Sequence, residues 1–356
     1  MSNLGDTTRT RVALVYKSTE SLLQRLTDHQ VLKDKYAQLS ASEIISLTTV
    51  VRNIFRREDS CLRINLDTSL MIIGDTFAHY GHLLRIFYLN GFPPYRTYVF
   101  LGNFVDRGHK NLETITLLYC LKIRFPNNIY LIRGTHECSI ISRDYGLLDE
   151  CTKRFPQKVW DVLVASFEYL PCSAIVNDKL FLVHSGISPN FLYTNIKKVS
   201  DLVNYINTNI VRPVKNFNNQ LLTQLIWSEP SSLTKSWEPS PTGQGLLFGA
   251  KVVEELTEKL KIDLIIRSNE FLNAGFEYFA NKKMLSIFSV PNFMNTYRNN
   301  GVIVMFNKTS NDEPRPLLYK ILQVKVIGQY RKKPTSKMNL TIEVVKEADI
   351  ELKSIR

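Results

Sequence analysis

The chain has no apolar run long enough to cross a bilayer. Its opening, MSNLGDTTRT, has neither an apolar signal core nor a glycine at position two. An unanchored protein of the cytoplasm or nucleus is therefore expected, with no membrane partner. Cysteine is scarce and unpaired: five in 356 residues, with no CxxC and no zinc-finger spacing. That argues against a disulfide framework or a structural zinc site and for reduced thiols. Internal repeats, low-complexity blocks and Pro/Gly/Ser-rich linkers are also missing, so one main domain is expected. Charge is plentiful, at a net +12, but Lys and Arg are interleaved with acids. The one dense run, YRKKPTSK from Tyr330, lies in a polar tail with no aromatic RNA-binding motif, which disfavours nucleic acid as a partner.

What is present is a chain that is 44% hydrophobic, enough for a substantial core. Up to about Arg57, ESLLQRLTDHQVLKDKY and SASEIISLTTVVRNIFRRE carry apolar residues at helical spacing, with Ser42 and Glu43 suited to a helix start. The expected layout is a helical segment over 1–57 packed on the rim of a domain over 58–329, then a basic tail over 330–356.

From Leu70 a pattern recurs in which an apolar run ends in a polar cluster: LMIIGD, TYVFLGNFVDRG, IYLIRGTHE, KLFLVHSG, IDLIIRSNE and MLSIFSVPN. Amphipathic stretches such as NLETITLLYCLKIRFP separate the early ones, so strand and helix alternate as in an α/β layered fold. In such folds ligands sit beyond the carboxyl ends of the strands. The clusters should converge and supply Asp75, Asn103, Asp106, Arg107, Thr135, His136, Glu137, His184, Arg267 and Asn269. Carboxylate, imidazole and guanidinium together suit metal-assisted attack on a phosphoryl group. The inventory is short of metal ligands, however. Once His136 is set aside as an acid, only Asp75 and His184 are unambiguous, and Phe77 stands where a second ligand after Asp75 would be expected.

The segments NGFPP, YVFLGNFVDRG, LETITLLYCLKIRFPNN, LIRGTHECSIISRDYGLLDEC, LFLVHSGISP, LIWSEP and FGAKVVEEL, between about Glu43 and Gln323, resemble the phosphoprotein phosphatase family of serine/threonine phosphatases, most of all its type-1 branch. The resemblance implies an α/β calcineurin-like metallophosphatase fold, a central β-sandwich flanked by helices. It also implies two metal ions held by motifs that read GDxHG, GDxVDRG, GNHE, HGG and RAHQ in the family. Here they read GDTFA, GNFVDRG, GTHE, HSG and RSNE. Asp75 and His184 are retained, whereas Phe77, Asn103, Thr135 and Asn269 occupy the other four of six ligand positions. His136 and Asp106 match the general acid and the carboxylate that orients it, and Arg107 matches a phosphate-binding arginine. A second phosphate-binding arginine falls on Thr242, and a loop tyrosine on Phe293.

The resemblance thus implies a pseudophosphatase that binds partners or phosphoproteins without efficient hydrolysis, with two metals not expected at full occupancy. The alternative is a weakly active serine/threonine phosphatase with one divalent cation (Mn, Fe or Zn) on Asp75 and His184. Regulatory or scaffold proteins are implied at a hydrophobic docking groove lined by Leu264, Tyr278, Leu317 and Tyr319, although core packing explains the same residues. Each site residue also has a structural alternative: Asp75 as a turn cap, His184 as a buried bonded imidazole, His136 with Asp106 as a structural hydrogen bond, and Arg107 as the ion-pair partner of Asp106 or Glu137. His79 and His82 are expected on the following helix, turned away from the lost ligand positions.

Overall fold

The run Leu70–Ile73 is buried on both faces, with Leu70 and Ile72 entering one apolar layer and Met71 and Ile73 another. A side-chain period of two produces this in a strand covered on both sides. The computed structural model describes residues 3–28, 31, 35–65, 69–306, 318–324, 344–345 and 349–351. Its first strands are β1 Cys61–Ile64, β2 Leu70–Ile73, β3 Thr97–Phe100, β4 Ile129–Leu131, β5 Ser173–Val176, β6 Leu180–Val183, β7 Glu229–Pro230 and β8 Trp237–Pro239. They are followed by β9 Leu246–Phe248, β10 Leu264–Arg267, β11 Phe276–Phe279, β12 Met284–Ile287, β13 Gly301–Phe306, β14 Leu318–Val324, β15 Val344–Val345 and β16 Asp349–Glu351. All six sequence-predicted strands are among them.

Two mixed sheets carry the fold. One has the order β1-β5-β6-β10-β12-β11; the other runs β15-β14-β13-β2-β3-β4, with β16 also on β14. They face each other across a layer of inward residues, including Leu70, Ile72, Val99, Val302 and Val304 from one sheet and Ala174, Leu180, Leu182, Leu264, Ile266 and Leu285 from the other. This is the expected sandwich. Helices cover the outer faces: Asn111–Arg124 and its neighbours lie over Met71, Ile73, Tyr98 and Phe100. Helices Val199–Asn209, Gln220–Trp227 and Ala250–Leu260 lie over Ile175, Phe181, Val183 and Ile265.

Helix Asn3–Leu26 contributes Val15, Leu22 and Leu26 to the same layer as Asn111–Arg124. Helix Ala41–Phe55 begins at Ser40, where the Glu43 backbone N–H donates to the Ser40 hydroxyl and the Ser40 N–H donates to the Glu43 carboxylate. The capping box thus starts the helix two residues before the expected Ser42, because only a residue three before Glu43 can exchange both bonds with it.

The alternation that builds the sandwich also corrects the groove. Leu264 is fully buried between the sheets beside Leu180, its partner in register on β6, and reaches no surface. Tyr278 is half-buried on edge strand β11, with Lys282 over its ring. Leu317 lies outside the described residues, as does the side chain of Tyr319 on β14. The basic run from Tyr330 also lies outside them, and of the expected tail only β15 and β16 are described, both paired with β14. All five cysteines are buried and unpaired. No helix among the described residues is long and apolar enough to cross a membrane.

Candidate functional site

β2, β3 and β4 run parallel, as do β6, β10 and β12, so their carboxyl ends bring the expected clusters to one place. Asp75 joins the two sheets there through a single parallel bridge to Phe288, and its N–H donates to the Ser268 hydroxyl at 2.8 Å. Around the buried Asp75 carboxylate, Asn103, Thr135, His184 and Asn269, which the resemblance sets at ligand positions, bond to one another. Asn103 donates its amide N–H to Asp75 Oδ2 at 3.1 Å; its Oδ1 accepts from the Thr135 hydroxyl at 3.1 Å and the His136 backbone N–H at 3.0 Å. The Asn269 backbone N–H donates to Asp75 Oδ1 at 3.3 Å, and its side-chain amide donates to the Ser185 hydroxyl at 3.1 Å. His184 is fully buried, with Nδ1 2.6 Å from the Leu101 carbonyl and Nε2 3.1 Å from the Asn269 amide oxygen. Burial lowers its pKa below the ordinary histidine value.

This donor set does not fit two divalent cations. Two such ions bring four positive charges, and the place of a bridging carboxylate is taken by the neutral Asn103. Both Asp75 oxygens already accept N–H bonds, and His184 Nε2 faces an amide. Among the described residues, no three His, Cys, Asp or Glu side chains gather where they could hold an ion. Glu137 is no reserve ligand. Its carboxylate accepts the backbone N–H groups of Asn103, Phe104 and Gly134, each at 2.8 Å. Burial pushes its pKa up to about 7 against the pull of those three donors. His79 stands at the residue before helix Tyr80–Asn90 rather than on it and makes no side-chain capping bond, its Nδ1 3.0 Å from the Phe77 carbonyl. His82 does lie on that helix, and burial pushes its pKa down to about 3. Neither is bonded to Asp75 or His184. Arg267 turns away into structural work, bonding the Ser185 carbonyl, Ser286 and Glu270.

Beside this floor stands a shoulder that keeps the expected arrangement. His136 Nδ1 lies 2.8 Å from Asp106 Oδ2, and Asp106 Oδ1 accepts the Leu147 N–H at 2.9 Å. The Asp106 N–H donates to Asn111, which in turn donates to Glu150. The imidazole is thus oriented through a buried chain of bonds. Arg107 forms no ion pair with Asp106 or Glu137. It is exposed, with its guanidinium 4.9 Å from the centre of the Tyr145 ring and 5.6 Å from that of Phe77. Thr242 is exposed on a loop with its hydroxyl 2.9 Å from that of Ser240.

Phe77 and Phe293 have a structural role of their own. With Leu272, Phe288 and Val290 they form a separate buried apolar cluster. The Phe77 ring meets His136 edge-on at 5.1 Å and lies 5.3 Å from Phe293. Sequence reasoning missed this cluster, and with it Tyr145, Phe271 and Tyr297. The recurrence of aromatic residues in the loops after β2, β10 and β12 was the available signal.

The model of the family described as calcineurin-like phosphoesterase matches residues 68–268. Among solved structures, a protein serine/threonine phosphatase from Saccharomyces cerevisiae with similarity to human phosphatase PP5 is 26% identical. It superposes with a TM-score of 0.75 over 88% of this chain and 98% of that one. The cold-active protein-tyrosine phosphatase of a psychrophile, Shewanella sp., superposes with a TM-score of 0.50 at 12% identity, over 74% of this chain and 80% of that one. That second likeness is one of fold.

Proposed function

This chain belongs to the calcineurin-like phosphoesterase family, and from that premise we propose that it is a pseudophosphatase of the serine/threonine type, which binds phosphorylated protein without efficient hydrolysis. The observation that carries the reading is Asn103. In the place of a bridging carboxylate stands an amide whose donor and acceptor are both consumed by Asp75, Thr135 and His136. Divalent cations in such a site activate water and neutralise the charge developing on phosphorus, a contribution of several kcal/mol to the barrier. The retained groups suit binding instead: the Arg107 guanidinium offers N–H donors to an anion, and Asp106 holds His136 in a fixed orientation. The protein partner is expected to use an apolar surface beside Tyr278 on edge strand β11, without Leu264.

A one-cation phosphatase is the second reading, resting on the Asp75 carboxylate and the neighbouring His184 imidazole, with Nε2 as the ligand atom because Nδ1 bonds the Leu101 carbonyl. It would require the Asn269 amide to leave His184 Nε2. Elemental analysis after dialysis, paired with hydrolysis of p-nitrophenyl phosphate in added manganese, separates the readings. The proposal expects far less than one metal per chain and no turnover. About two metals with rapid turnover would overturn it, and one metal with slow, Asp75-dependent turnover would replace it with the second reading.

A further inference from the structure

The shoulder of Asp106, Arg107 and His136 opens onto aromatic rings. His136 and Arg107 both contact Tyr145 on one side, at 5.3 and 4.9 Å, and Phe77 on the other, at 5.1 and 5.6 Å. From Phe77 the rings continue outward through Phe293 at 5.3 Å to Tyr297, stacked on Phe293 at 6.1 Å, with Phe271 4.8 Å from Tyr297. The outer members are open to solvent: Tyr145 is 46% exposed, Tyr297 53% and Phe271 37%. Exposed rings grouped beside an unpaired guanidinium match a ligand that is anionic at one end and aromatic next to it.

We infer that this site selects aromatic phosphate esters, specifically a phosphotyrosyl peptide, with the phosphate on Arg107 and His136 and the tyrosyl ring against the exposed rings. The inference rests on the anion-binding reading above. A centre holding two cations grips any phosphate ester by charge. Without them the ester group must supply the affinity. In phosphotyrosine a ring follows the phosphate directly, within the span of the rings that flank Arg107. In phosphoserine a short methylene and backbone stand there and have no face to stack.

The test uses three synthetic peptides of one sequence, carrying phosphotyrosine, phosphoserine or unmodified tyrosine, titrated into the full chain by fluorescence polarisation. The phosphotyrosyl peptide is expected to bind roughly three- to tenfold tighter than the phosphoseryl one, with no saturable signal from the unmodified peptide. Replacing Tyr145→Leu and Tyr297→Leu together should abolish the preference, so that the variant binds the two phosphopeptides equally, while Tyr145→Phe, which keeps the ring and tests folding, should retain the preference. Equal affinities, or tighter binding of phosphoserine, would overturn the inference and leave the phosphoprotein reading standing. Saturable binding of the unmodified peptide at the same strength would reduce the rings to a general apolar patch and also overturn it. Binding of neither phosphopeptide would remove both.

Discussion

The floor of the site (Asp75, Asn103, Thr135, His184 and Asn269) and its shoulder (Asp106, Arg107 and His136) hang from the same sandwich but keep different things. In the shoulder an imidazole is bonded to a carboxylate. In the floor one carboxylate is surrounded by neutral side chains that bond to it and to one another. Phe77, Asn103 and Asn269 hold φ values of 44°, 54° and 67°, as Asp106 and Arg107 hold 72° and 61°. Asparagine tolerates this left-handed region; a phenylalanine there is strained and persists only where its surroundings impose it. They do so here, since the N–H groups of Phe77 and Ala78 donate to the carbonyls of Asn103 and Phe104 at 2.8 and 2.9 Å. The turn at Phe77 is therefore held by main-chain bonds, independently of the side chains that fill the floor.

The sharpest way to break the comparison is to remove what both regions share. Glu137 clamps the turn after β3 to the turn after β4 through three buried N–H bonds, so Glu137→Gln turns an amide N–H group toward at least one buried donor. A loss of about 3–5 kcal/mol is expected, read as a shift in the urea midpoint, with floor and shoulder failing together.

Much of this arrangement was legible in the sequence. The six strands showed as apolar runs ending in polar clusters, and their shared direction placed Asp75, Asn103, Thr135, His136, His184 and Asn269 together. What could not be read was how the neutral side chains of Asn103, Thr135 and Asn269 would satisfy one another, since hydrogen-bond partners tens of residues apart leave no local pattern. The bracing role of Glu137 was hidden for the same reason. Leu264 is a different case. It shares the sandwich face with Ile266 while the equally apolar Ile265 fills the outer layer, so the run carries no alternation that tells the faces apart, and only the family resemblance pointed to a groove. Phe77 and Phe293 were read one at a time as losses, so the apolar cluster they create together went unnoticed.

A change confined to the floor should cost less than the clamp. Asn103→Asp places a second carboxylate where an N–H now stands 3.1 Å from Asp75 Oδ2. Without cations this should lose about 2–3 kcal/mol at pH 7. The loss should shrink near pH 5, because repulsion raises one carboxyl pKa and protonation relieves it. Equal destabilisation at both pH values would mean that packing, and not charge, is responsible.

A smaller effect separates the regions by pH. Burial depresses His184 in the floor below the ordinary histidine value, and it lowers His82 on helix Tyr80–Asn90 from 6.5 to about 3. For depressed groups the unfolded chain binds protons first, so their contribution is complete above pH 6.5 and is lost as pH falls, for His82 down toward pH 3. Glu137, raised from 4.5 to about 7, has the opposite slope between those values. His82→Gln should therefore flatten the acid side of the stability profile, measured by urea midpoints from pH 7 to pH 4. An unchanged acid slope would show that His82 is charged in the folded protein.

The most direct test of the separation between scaffold and chemistry is the metal content of the quadruple variant Phe77→His, Asn103→Asp, Thr135→Asn and Asn269→His, measured beside the unaltered protein after incubation with manganese and dialysis. If the floor has kept its geometry, the variant should hold close to two ions per chain, and the unaltered protein should hold far fewer. Hydrolysis of an aryl phosphate should return only in part, because Thr242 and Phe293 still lack a guanidinium and a phenol. A folded quadruple variant that takes up no metal would contradict the account, since the backbone would then have drifted along with the ligands.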